Sequence, residues 1–67
     1  MTFLPHQLRV VDERQELGEK LEKLAEFLTT PTFVGLQKDE QHRLIRQHAA
    51  MDEYERILRQ RIAAFNA

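Results

Sequence analysis

Few side chains in this sequence could do covalent chemistry. There is no serine and no cysteine among its 67 residues, which removes two nucleophile types and every thiolate metal site. Thr29, Thr30 and Thr32 crowd one connector, where the capping of helix ends explains them. His42 and His48 fall on different faces of a helix and His6 is remote from both, so the three lack metal-ligand spacing. Asp39 and His42 share a face, but a di-metal site takes carboxylates and histidines from several helices. The chain is therefore expected to have no catalytic residue, no metal and no cofactor, and to act by binding.

The residues suited to recognition are polar groups set against apolar stripes. Arg9, Glu13, Glu16 and Lys20 share one helical face, with His6 and Lys23 at its margins. Gln47 and Arg61 fall near the centre of a later apolar stripe that also holds Tyr54. Arg14 interrupts an earlier one, where snorkelling of its guanidinium to water accounts for it. Guanidinium groups offer paired donors to phosphate, and a tyrosine ring offers a stacking face. One reading makes these residues a solvated face and internal ion pairs, with Glu13, Glu16 or a neighbour's carboxylate meeting Arg61. The other makes them a ligand pocket between subunits. There, His6 and Tyr54 stack, while Arg9, Lys20, Lys23 and Arg61, with Gln47, meet phosphate or base edges. Repeated by symmetry, such a patch surrounds a small dianion and suits a cyclic dinucleotide.

Two long helices must position these groups. Pro5 suits a first helical position, and Val10, Leu17 and Leu24 with Leu21 and Leu28 mark a core seam to about Thr29. Glu16–Lys20 and Glu19–Lys23 are i,i+4 pairs in the favoured order. Thr30 and Pro31 predict one short helical turn in the connector 30–37, Gly35 a left-handed stop, and Phe33 with Leu36 a plug at the closed end. Leu44, Met51, Leu58 and Phe65 repeat in heptads along a second helix over 38–65, with Asp39 and Glu40 in its first turn. Asp52–Arg56 and Glu55–Arg59 add two further i,i+4 pairs. The fold class is all-α: a single antiparallel hairpin over residues 1–67.

A hairpin of this length lacks the means to finish its own core. A chain this short hides only about 60% of its unfolded surface, and the usual remedies are disulfides, a metal or a second subunit. The first two are missing from the sequence, so a homo-oligomeric helical bundle is expected. Leu4, Leu8 and Val11 form a second apolar strip turned away from the seam, with Gly18 beside it. The strip either folds back on its own hairpin or forms the oligomer interface, where Gly18 permits close approach. The net charge of −1, from 10 basic and 11 acidic residues, carries no basic face for duplex nucleic acid. No apolar run approaches the roughly 20 residues of a membrane span, and Met1–Pro5 lacks the features of a secretory signal.

The run Pro5-His6-Gln7-Leu8-Arg9-Val10-Val11-Asp12-Glu13, followed by Glu16-Leu17, Glu19-Lys20-Leu21, Lys23-Leu24 and Phe27, resembles a family of very short tailed-phage and prophage proteins related to crAss-like phages. The second half agrees at Glu40-Gln41, Leu44, Gln47, Met51, Tyr54, Leu58, Arg61-Ile62 and Phe65. The resemblance implies a phage accessory protein in the host bacterial cytoplasm and transfers no active residues. In size and layout alone the chain is similar to phage anti-CBASS and anti-Thoeris sponges, helical hairpins that assemble and sequester nucleotide signals. The expected function is to counter bacterial immune signalling by holding a small cyclic or ADP-ribose-type nucleotide between subunits. The alternatives are an inhibitor or adaptor whose Leu4/Leu8/Val11 strip docks on a host protein, and a small virion or assembly component.

Overall fold

Helix α1, Pro5–Phe27, begins where Pro5 presets the backbone and where Leu4, though apolar, serves as the cap residue. The Gln7 side-chain oxygen accepts the Leu4 N–H at 2.8 Å and so holds the entry turn. The helix ends at Phe27, short of the expected Thr29, because Thr29 and Thr30 turn their hydroxyls back onto the Glu26 and Phe27 carbonyls at 2.7 and 2.6 Å. Thr30 then caps the short helix α2, Pro31–Val34, by accepting from the Phe33 N–H at 3.3 Å. Gly35 ends α2 in right-handed geometry, with φ −77° and ψ −9°, so the left-handed stop expected there does not form.

Helix α3, Lys38–Ala64, starts after an uncapped Gln37 and carries Asp39 and Glu40 in its first turn, complementing the helix dipole. Its link to the connector is Gln41. The Gln41 Nε2 group lies within donating distance of the carbonyls of Phe33, Val34 and Leu36 at 3.1, 2.9 and 3.1 Å, at the end of α2, where the Phe33 carbonyl also accepts from the Leu36 N–H at 3.1 Å. Phe27 and Phe33 close this end of the hairpin edge to face, with ring centroids 6.3 Å apart.

The structure, a computed structural model, describes residues 3–65; of the expected unit 1–67, residues 1, 2, 66 and 67 lie outside the described part. Among the described residues there is no strand, and α1 packs along α3. Phe3 meets Phe65 at 5.9 Å and Arg14 meets Glu55, which makes the helices antiparallel. Val10, Leu17 and Leu58 form the buried core, with Met51, Ile62 and Phe65 packed on it. Among the described residues only Leu58 is sealed completely. Three such side chains, at about 1.5–3 kcal/mol each, make a thin core.

The overall shape follows from that thinness. The molecule measures 48 × 14 × 14 Å, and its radius of gyration is 15.2 Å, against about 11 Å for a globule of this length. Its accessible surface of 5369 Å² exceeds that of a compact 8.0 kDa protein by about 900 Å². Leu4 and Leu8 remain 56% and 48% exposed. The reading in which the N-terminal arm folds back over its own hairpin is thereby corrected for these two side chains, because no element among the described residues covers them.

Candidate functional site

The hairpin has two long sides, one on either flank of the α1–α3 contact, and they differ in charge. The first side is a groove of about 420 Å³ lined from both helices, with Gly18, Leu21 and Ala25 on α1 and Asp52, Glu55 and Arg59 on α3 among its walls. It continues toward the open end of the hairpin as a hollow of about 350 Å³ lined by Phe3, Val11, Ile62 and Ala63. Arg14 and Arg59 line both stretches and stand at their junction.

Glu55 lies beneath that junction and is 5% exposed. One of its oxygens accepts from Arg14 Nε at 3.2 Å and from Arg59 Nε one turn along α3. A carboxylate this deep needs both donors. Arg14 remains 41% exposed along its side chain, but its head is anchored on Glu55 across the helices, so the expected snorkelling to water gives way to an ion pair. The i,i+4 spacing of Glu55 and Arg59 was visible in sequence, but the burial of Glu55 was not.

Four acids (Glu19, Glu22, Asp52 and Glu55) line the main groove against two arginines, and Asp12, Glu16 and Glu19 line a smaller hollow nearby. A free phosphate is repelled here, since the acids outnumber the arginines.

The opposite side carries most of the polar residues singled out from sequence. Helical geometry sets Arg9 and Lys20 on the face of α1 away from Val11 and Gly18, and sets Gln47, Tyr54 and Arg61 on the face of α3 away from Asp52 and Arg59. With the helices antiparallel, Arg61 lies level with the His6–Arg9 turn, Tyr54 with Glu13–Glu16, and Gln47 with Lys20–Lys23. His6, Arg9, Lys20, Gln47 and Arg61 are exposed, and Tyr54 is partly so. Lys23 is also exposed and lies farther round α1 toward solvent.

Helical geometry thus sets His6, Arg9, Lys20, Gln47, Tyr54 and Arg61 along one edge, where they are exposed and not enclosed. Arg9 and Lys20 stand about 16 Å apart along the helix, with Glu13 and Glu16 between them. Among the described residues, none of Arg9, Lys20, Lys23 and Arg61 forms an ion pair. The expected Glu16–Lys20 and Glu19–Lys23 pairs do not close, whereas Arg56 meets Asp52 at 3.1 Å.

Two further expectations are corrected. Gln47 and Arg61 are exposed, not central to the stripe, because α1 lies over the Glu55 flank of the Leu58 row and leaves the Tyr54 flank bare. The Gln47 amide rests on the Met51 sulfur at 3.7 Å. Sequence reasoning also passed over Arg43 and Arg46, which with Gln47, Ala49 and Ala50 line an open hollow of about 640 Å³. Their signal was the spacing Arg43-x-x-Arg46-Gln47 beside two alanines. Arg43 is held by Glu40 at 2.8 Å.

Of the interface residues, Leu4 and Leu8 are exposed, while Val11 and Gly18 are half-buried on the groove side. A Cβ at Gly18 would meet nothing within 4 Å, so no contact inside the chain requires glycine there. Among the described residues no group of three or more His, Asp or Glu side chains could hold a metal ion, and no helix is long and apolar enough to cross a membrane.

Residues 4–64 match the Sequestin family, which covers both long helices and the connector between them. The chain belongs to the Sequestin family. It is also 36% identical over 63 residues to an uncharacterized 7.5 kDa protein of Enterobacteria phage T4, from the denB-rIIB intergenic region, spanning 94% of this chain and 98% of that one. These matches place it in a family of small phage proteins whose name denotes sequestration. No solved structure matches the chain.

Proposed function

We propose that this protein is a phage accessory factor that sequesters a small phosphate-bearing nucleotide signal in the infected host cell. It does so by binding, without turnover. The ligand class is a cyclic nucleotide or an ADP-ribose-type nucleotide, and the binding surface is the edge carrying Arg9, Lys20, Gln47, Tyr54 and Arg61, with His6 at its end and Lys23 reaching in from farther round α1. The observation that carries the reading is that Arg9, Lys20 and Arg61, which helical geometry sets along one edge, form no ion pair among the described residues and are absent from the lining of the acidic groove. An anion is drawn to that edge and not to the groove.

A single hairpin leaves the edge open to water, and its two basic ends are too far apart for one dianion to bridge them. Enclosure therefore takes the edge of another copy, which makes the working form a homo-oligomer. The family name supports a sequestering role, and the kinship in layout with anti-CBASS and anti-Thoeris sponges supports an immune signal as the cargo. The host cytoplasm, where such signals are made, is the proposed site of action.

Isothermal titration against cyclic di- and trinucleotides and ADP-ribose isomers tests this directly. At least one should bind more tightly than roughly 10 μM, and Lys20→Ala or Arg61→Ala should weaken it by about tenfold. Absence of binding across the panel overturns the proposal.

The exposure of Leu4 and Leu8 favours a second reading, in which the strip docks into a groove of a host protein. Leu8→Glu would then abolish capture of that protein while leaving the hairpin's own mass in solution unchanged.

A further inference from the structure

The acidic groove remains to be explained, and its shape and charges point to an occupant. It is an unpartnered face running the length of a hairpin that exposes about 900 Å² more surface than a compact chain of its mass. That excess is close to the roughly 800 Å² that each partner contributes to a stable interface.

Along α1 this face presents Val11, Gly18 and Ala25 at heptad spacing, with Arg14 and Glu22 set symmetrically about Gly18. The pattern is self-complementary under one operation only. A two-fold axis through Gly18 sets Val11 over Ala25 of a second copy, Arg14 beside its Glu22, and glycine against glycine at the crossing. A parallel arrangement instead stacks each charge on its own likeness.

The antiparallel arrangement also brings the exposed Leu4–Leu8 end of one hairpin level with the closed end of the other, where Val34 is largely exposed. Gly18 thereby gains a purpose, because a side chain there would stand between the two helices.

We infer that two copies of this chain pack antiparallel through the Gly18 side of α1, giving a four-helix bundle in which each Arg14, its Nε on Glu55, turns its terminal guanidinium nitrogens to Glu22 of the other copy. The bundle needs no nucleotide. It completes the oligomer of the proposed function at a surface different from the ligand edge, and it leaves both basic edges outward. Enclosing a ligand between edges then brings one such pair against another, so the assembled masses are even multiples of the chain.

Light scattering with sedimentation velocity, performed without nucleotide, tests this on the wild type and on Gly18→Leu and Glu22→Arg. The wild type should run at an even multiple of the chain mass at micromolar concentration. Gly18→Leu should raise the dimer dissociation constant at least about tenfold and lower the melting temperature at equal concentration. In a lone hairpin a Cβ at that position meets nothing within 4 Å and replacing glycine improves the helix, so the melting temperature would rise. The two signs separate the cases without appeal to misfolding.

Glu22→Arg should weaken the pair too, and added salt should restore part of the loss. A single-chain mass for the wild type, or an unchanged mass with a raised melting temperature for Gly18→Leu, overturns the inference. Nucleotide titration is a separate measurement: a ligand-free dimer that binds no nucleotide overturns the proposed function and sustains the pairing.

Discussion

The Glu55 cluster gives the most discriminating test of how this hairpin is held together. Glu55 is nearly sealed, while its two partners, Arg14 and Arg59, keep 41% and 63% of their side chains in water. The three groups are therefore not equivalent. Removing the carboxylate leaves two arginines that rehydrate with little movement. Replacing it with methionine, close in volume, exchanges a desolvated charge for apolar burial. Such exchanges are often neutral, so Glu55→Met should change stability by no more than about 1 kcal/mol. For a domain of this size that is about 4–8 °C in melting temperature.

Removing both arginines strands the carboxylate where water cannot reach it. Arg14→Met with Arg59→Met should cost about 3–5 kcal/mol. The total stability of a chain this long is only about 3–10 kcal/mol, so the double variant should be largely unfolded at room temperature. Urea and thermal unfolding followed by circular dichroism, at one fixed protein concentration because association contributes to stability, give both numbers. Adding Glu55→Met to the double variant should recover most of the loss. If the double arginine variant proves no less stable than Glu55→Met, the reasoning from burial fails.

Three further outcomes follow from the same geometry. Leu58→Ala empties the one fully sealed core position and should cost about 2–5 kcal/mol, enough to abolish cooperative melting in so thin a core. Gln41→Leu removes the donor shared by the Phe33, Val34 and Leu36 carbonyls; with water able to replace part of the loss, it should cost about 1–2 kcal/mol and speed amide exchange in the connector more than in the middle of α1. Leu8→Glu places a charge on a half-exposed apolar strip; it should leave helix content intact while shifting the assembly toward smaller species in light scattering.

The sequence determined which segments are helical and that they pair antiparallel. Heptads of leucine, two prolines at helix starts and the threonine cluster are local signals, and a short connector permits only a hairpin. It also made plain that one such hairpin has more apolar surface than it covers, which the exposed Leu4 and Leu8 express.

The sequence left open which flank of the α3 stripe lies under α1. Tyr54 and Glu55 sit on opposite shoulders of the Leu58 row, and a heptad repeat on a helix of 3.6 residues per turn drifts by about 20° each cycle, so spacing alone cannot choose between them. Tertiary packing chose Glu55, because Arg14 reaches it across the helices. The same rotation carried Gln47, Tyr54 and Arg61 outward to the edge that holds Arg9 and Lys20. The acidic groove and the basic edge are both products of that choice, since charge sorting between two helices depends on how each is turned, and a linear pattern does not contain the turn.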